Sequence, residues 1–186
     1  MGQIRFLTFL LGLFFTAGAA ATGFRGFEWG TTEDEILEEM GEPLQRRGDC
    51  LIYQDRIIER QVRVLYCLDD GNALYRGAYV FQDTHPMPYN KHVEDYEQLL
   101  PMLSERHGEA TRNEVIWRLP ALRINKPYWG HRIASRDLEL RATWAPPATQ
   151  VEMVLQGGDF NKITHYIEYK SLESMEQRRQ QDRELL

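Results

Sequence analysis

The feature that most constrains this chain is a two-residue hydrophobic period that recurs along it, cut by turn chemistry. Val62, Val64, Tyr66 and Leu68 alternate with Arg63, Leu65 and Cys67, and Leu138, Leu140, Ala142 and Trp144 alternate with Glu139, Arg141 and Thr143. That period belongs to half-buried strands, one face on a core and the other toward water. Asp69-Asp70-Gly71-Asn72 is strong hairpin chemistry, and Leu74 to Gln82 returns as the next strand. Ala145-Pro146-Pro147-Ala148 and Gly157-Gly158-Asp159 turn the chain before Val151, Met153 and Leu155 and before Ile163, His165, Ile167 and Tyr169. These are antiparallel meanders, and each follows a helix.

The first helix is marked at both ends. Thr32 with Glu35 makes a capping box, Glu33 and Asp34 suit the positive end of the dipole, Gly41 can close the last turn and Pro43 forbids continuation. The second helix is written by Val93, Tyr96, Leu99, Leu100 and Leu103 and closed by Gly108, with Pro101 inside it predicting a kink. The expected fold is therefore α+β: two tandem units of a helix followed by an antiparallel β-meander, over 22–88 and 89–170. A charged helical tail follows over 171–186, with a capping box expected at Ser174 and Gln177. Pro120 to Ser135 reads as an irregular insertion.

Residues 1–21 read as a signal peptide. Arg5 precedes an apolar run from Phe6 to Phe15 and a small-residue exit through Ala21. A membrane anchor needs roughly 20 apolar residues, and Gly18 and the small residues end this run early. The expected product is a soluble exported protein, periplasmic or extracellular, with no stable membrane anchor. The full chain's net charge of −6 without a basic stripe disfavours nucleic acid as a partner.

Export admits a disulfide between Cys50 and Cys67. Turn chemistry at Asp55-Arg56, however, sets Cys50 opposite about Arg60, because pairing 50 with 67 would centre the hairpin on Ile58-Glu59, poor turn residues. The alternatives are a bridge or two small buried thiols.

Chemistry is sparsely marked. His85, His92, His107, His131 and His165 include no i,i+4 pair, leaving a His85–His92 clip as the metal alternative. His107 sits where a helix end attracts a cation, and His165 on a strand face reads as a hydrogen-bonded core residue. No nucleophile elbow or phosphate loop is present, and no cofactor motif. The remaining candidate is aromatic and cationic: Tyr128 and Trp129 with Arg123, Lys126 and Arg132 around them, a composition suited to a protein contact or to folding back over the sheet.

The run Trp29-Gly30-Thr31-Thr32-Glu33-Asp34-Glu35-Ile36 through Gly41-Glu42-Pro43 resembles the small-helix opening of the SmpA/OmlA group of bacterial envelope proteins. Thr31 stands where that pattern has Met, and no lipid-attachment cysteine is present. The tandem arrangement is similar to the β-lactamase-inhibitor-protein type of fold. The resemblance implies a non-enzymatic module that binds an envelope protein partner. The alternatives are a hydrolase with dispersed catalytic groups, or a periplasmic protein binding a small ligand or metal. An enzyme would show a desolvated, strongly shifted histidine or carboxylate in a pocket, and a scaffold an exposed patch or an open sheet edge.

Overall fold

A computed structural model describes residues 23–87 and 89–184; the expected signal peptide lies outside the described residues. The protein is mixed α+β. A hairpin of β1 (Gly23–Phe24) and β2 (Phe27–Glu28) precedes α1 (Glu33–Met40). Then come β3 (Gln45–Arg47), β4 (Cys50–Ile57), β5 (Arg60–Leu68) and β6 (Leu74–Phe81). The helix α2 (Asn90–His107) leads to β7 (Arg112–Trp117), two short 3-10 turns and α3 (Trp129–Ala134). The chain ends in β8 (Leu138–Trp144), β9 (Thr149–Gly157), β10 (Ile163–Ser171) and α4 (Leu172–Glu184).

Eight of these strands form one antiparallel sheet in the order β3-β4-β5-β6-β10-β9-β8-β7. The seam between its halves is the pairing of β6 with β10, in which Ile167 lies opposite Tyr79 and Tyr169 opposite Gly77. The expected alternation is the reason for the layers. Leu51, Tyr53, Val62, Val64 and Tyr66 join Leu140, Ala142, Trp144, Val151, Met153, Leu155 and Ile167 in the core on one face.

Helices cover that face. The capping box forms at Thr32 and Glu35, and Ile36 is fully buried. The longer α2 buries Val93, Tyr96, Leu99 and Leu103, and Ser104 accepts from the Trp144 indole N–H at 3.2 Å. This helix continues through Pro101 rather than ending there. Pro101 and Glu97 are both exposed, so the carbonyl that a proline leaves unpaired one turn back faces water. The β1–β2 hairpin plugs the seam: the Phe24 ring lies 5.0–5.4 Å from the rings of Tyr66, Tyr79 and Tyr169. Gly77 makes room for it, since a Cβ there would sit 2.2 Å from the Phe24 ring.

Three expectations are corrected. The β4–β5 hairpin pairs Cys50 with Cys67, not with Arg60, and its turn is Ile58-Glu59. Both turn residues take positive φ, 49° and 62°, the left-handed geometry of a two-residue hairpin turn, without the glycine or asparagine that normally announces it. Asp55 and Arg56, the apparent turn, are strand residues. The tail helix begins where expected, at Leu172, but its cap is the Ser171 hydroxyl rather than Ser174, accepting from the Ser174 N–H at 3.2 Å. Within 120–135 the chain is ordered into the two 3-10 turns and α3, whose Ile133 is fully buried.

Candidate functional site

Polar chemistry converges in two places, one on each side of the sheet. The first lies on the covered side where β6 leads into α2. His85 Nε2 lies 2.6 Å from Asp95 Oδ2, and the His85 backbone N–H donates to His92 Nε2 at 3.4 Å. Arg60 donates to Asp83 at 2.6 Å, reaches Asp95 at 3.2 Å and lies 4.3 Å over the Phe81 ring. Phe81 in turn stacks on His165, with ring centroids 4.6 Å apart. The turn of helix that carries His92 and Asp95 thus meets the ends of β5, β6 and β10.

The electrostatics follow burial. Burial opposes the Asp95 charge, but the His85 hydrogen bond and the positive charges of Arg60 and Lys91 outweigh it and hold the carboxyl below its usual range. Burial, aided by His85 and Arg60, pushes His92 down to about 4. His165 is pushed down to about 3 by burial, with Arg60 adding to the effect. Neither ring nitrogen of His165 has a hydrogen-bond partner among the described residues, so this is a core histidine without the hydrogen bond expected of it. His107 departs similarly. Burial, then Arg106, lowers its pKa, and its Nε2 sits 3.3 Å from the Tyr169 hydroxyl. It is a neutral packing group rather than a helix-end cation.

A cleft of about 330 Å³ opens beside this cluster, lined by His85, His92, Asp83, Thr84, Tyr89 and Lys162 among others. The His85 and His92 rings touch, 4.4 Å apart, but His85 Nε2 is engaged by Asp95 and His92 Nε2 by the His85 backbone. A metal clip through those two Nε2 atoms would have to break both bonds.

The second place is the other face of the sheet. There Cys50 and Cys67 form a disulfide across β4 and β5. The Arg76 guanidinium donates to both sulfurs, at 3.4 and 3.2 Å, and to Glu168 at 3.2 Å. Tyr75 donates to Asp49 at 2.9 Å, and Arg178 of α4 lies 3.9 Å over the Tyr75 ring. The tail helix is thereby laid over this face. A cleft of about 360 Å³ sits above the disulfide, with Ile52, Leu65 and Val80 along it and Arg47, Arg63 and Arg76 around it. Arg47 and Arg63 are exposed, and neither enters an ion pair among the described residues. Asp49, Cys50 and Cys67 place three ligand-type atoms within 4.8 Å of one another, a set that the disulfide occupies.

The residues singled out in the sequence are divided between packing and solvent. The Trp129 ring packs against the core edge-on to Trp117, at 6.4 Å, and its N–H donates to the Ile124 carbonyl at 3.1 Å. Arg132 pairs with Asp137 at 3.3 Å, and Lys126 pairs with Glu97. Tyr128 stays 59% exposed and Arg123 is exposed beside it in the chain. Arg60, Asp83, Asp95 and Arg76 were not legible as a group. Arg60 follows the Ile58-Glu59 turn, Asp83 lies just past β6, Arg76 is in β6 and Asp95 is on α2, and no spacing in the sequence joins them.

No protein-family model and no curated protein matches the chain. Among solved structures it is similar to a DUF4309 family protein from Bacillus subtilis, with a TM-score of 0.44 and 12% identity over 79% of this chain and 83% of that one.

Proposed function

We propose that this is an exported, non-catalytic binding module of the cell envelope. It is built from two tandem helix-plus-meander units and holds a protein partner on the face of the sheet away from α1 and α2. One observation carries the reading: on a chain of net charge −6, the unpaired Arg47 and Arg63 flank an apolar-floored cleft over the disulfide. Cations beside apolar floor suit an acidic segment of a partner, with charge giving selectivity and the floor supplying burial. The disulfide and the amino-terminal apolar segment support export. The resemblance of Trp29 to Pro43 to envelope modules supports a binding role, with exposed Tyr128 and Arg123 as a secondary contact.

The test is site-specific. The mature protein carrying a photo-crosslinking side chain at position 63 should form one dominant adduct in an envelope extract. The same label at Glu109, outside the cleft, should form none. Arg47→Glu should abolish the adduct. An adduct indifferent to that change, or no adduct, sinks the reading.

The His85–Asp95 pair, set beside a cleft with the desolvated His92, favours a hydrolase as the second reading. Asp95 is held by Arg60 as well as by His85, however, and among the described residues the only hydroxyls lining the cleft are those of Thr84 and Tyr89. Turnover of an ester or phosphoester probe that disappears in His85→Gln would establish this reading over the first.

A further inference from the structure

The two edges of the sheet are β3 and β7, and β7 is built to accept another strand. Arg118 donates its N–H to Asp137 on the register that pairs Arg112 with Thr143, so the even-numbered residues of β7 spend their backbone groups on β8. Asn113, Val115 and Trp117 therefore point their N–H and C=O groups away from the sheet. Leu119 continues the extended backbone, with φ −127° and ψ 118°. Residues 111–116 are all exposed, and the apolar side chains among them are not hidden: Val115 is 44% and Ile116 40% exposed, and Leu119 56%. None of Arg112, Glu114 and Arg118 has an ion-pair partner among the described residues.

We propose that β7 pairs antiparallel with β7 of a second copy of this chain, about a twofold axis at Ile116. Of the registers centred on the strand, the charges select this one: centring on Trp117 leaves Glu114 opposite Pro120 and Arg118 opposite Ile116. Two chains paired through their outward backbone groups can centre only on particular residues. Centring on Val115 sets Arg112 against Arg118, and centring on Glu114 sets that carboxylate against itself. Centring on Asn113 pairs Arg112 with Glu114, but it carries the pairing back through Thr111, where the strand begins, and sets Trp117 opposite Glu109. Centring on Ile116 pairs Glu114 with Arg118 twice, once on each side of an Ile116–Ile116 contact. On the other face Val115 meets Trp117, also twice. Every exposed charge between 114 and 118 then has an opposite partner, and the exposed apolar residues of the strand cover one another. The Arg47–Arg63 cleft lies in the half of the sheet at the opposite edge and stays open in such a dimer.

The mature chain should sediment as a concentration-dependent dimer. Arg118→Glu and Glu114→Arg should each weaken it by about tenfold, and the combined Glu114→Arg/Arg118→Glu chain should regain it. Neither side chain has a hydrogen bond or an ion pair among the described residues, so each variant should stay folded, its thermal midpoint lowered only slightly by the like charges then set opposite Arg141 and Asp137. Val115→Pro, which removes an outward N–H and no ladder bond, should leave a folded monomer. A chain monomeric at every concentration up to near-millimolar overturns the proposal. So does a dimer untouched by the charge reversals or not restored by their combination. Because none of these changes touches the Arg47–Arg63 cleft, dimerisation and partner capture can fail independently.

Discussion

The two halves of the sheet solve the same problem with different means. The half from β3 to β6 carries a helix of eight residues, a cross-strand disulfide and an edge of three exposed residues, Gln45-Arg46-Arg47. The half from β7 to β10 carries a helix of eighteen residues, no cysteine and an edge of six residues with Val115 and Ile116 in the open. A short helix covers little apolar surface, and where burial is thin the chain adds a covalent tie. A short, charged edge discourages further pairing, while a longer apolar edge invites it. The difference teaches that helix length, cross-linking and edge chemistry vary together in this protein, half by half.

The comparison can be broken first with a reductant. Cys50→Ser/Cys67→Ser removes a bridge closing 17 residues and should cost about 3 kcal/mol, read by denaturant unfolding. Hydrogen exchange should accelerate in β3–β5 more than in β8–β9, and equal loss across both halves would erase the asymmetry.

Acid should act on the other half. The folded His165 titrates near 3 and an unfolded histidine near 6.5, so between those values only the unfolded chain takes up the proton. Stability is therefore complete above pH 6.5 and falls as the pH drops, by about 2 kcal/mol at pH 5 from this residue. His92, folded value about 4, acts in the same direction but more weakly, since it lies beside a cleft open to water. His165→Leu should be neutral or stabilising at pH 7 and should flatten the decline between pH 6.5 and 4 in unfolding titrations. A slope unchanged by this substitution would move the acid response elsewhere.

The smaller effects sharpen the picture. Ile58→Asn/Glu59→Gly relieves two positive-φ residues and should stabilise the first half by about 1 kcal/mol, seen as a raised thermal midpoint. Tyr128→Ala should change stability by less than about 0.5 kcal/mol, because its ring is mostly in solvent.

Much of the architecture was legible because it is local. The Thr32–Glu35 cap, the two main helices and the alternation of β5 and β8 follow from residues within a turn or two of one another. The β4–β5 register was not legible for a specific reason. Asp55-Arg56 has turn chemistry without the turn, and Ile58-Glu59 has the turn without its chemistry, because the pairing of eight successive residues, from Cys50 with Cys67 to Ile57 with Arg60, overrides local preference there. The histidine cluster was hidden for another reason. His85, Asp95 and Arg60 meet where β6 leads into α2 beside the start of β5, and the β6–β10 seam brings His165 to them. The orphaned ring nitrogens of His165 are likewise a property of packing, invisible in its strand pattern.

That seam also orders events in time. The strand β6 ends at Phe81 and its partner β10 begins at Ile163, so the centre of the sheet is completed by the last of the described strands to be synthesised. Until β10 arrives, β6 is itself a bare edge, eight residues long, and Phe24 has only part of its aromatic box. The hairpins of each half can close early, from near neighbours in sequence, whereas their union waits on a loop of some eighty residues. A chain stopped short of Ile163 is left with two partial sheets, each bearing an unfinished inner border. Synthesis of β10 is thus what turns two sticky fragments into one finished surface.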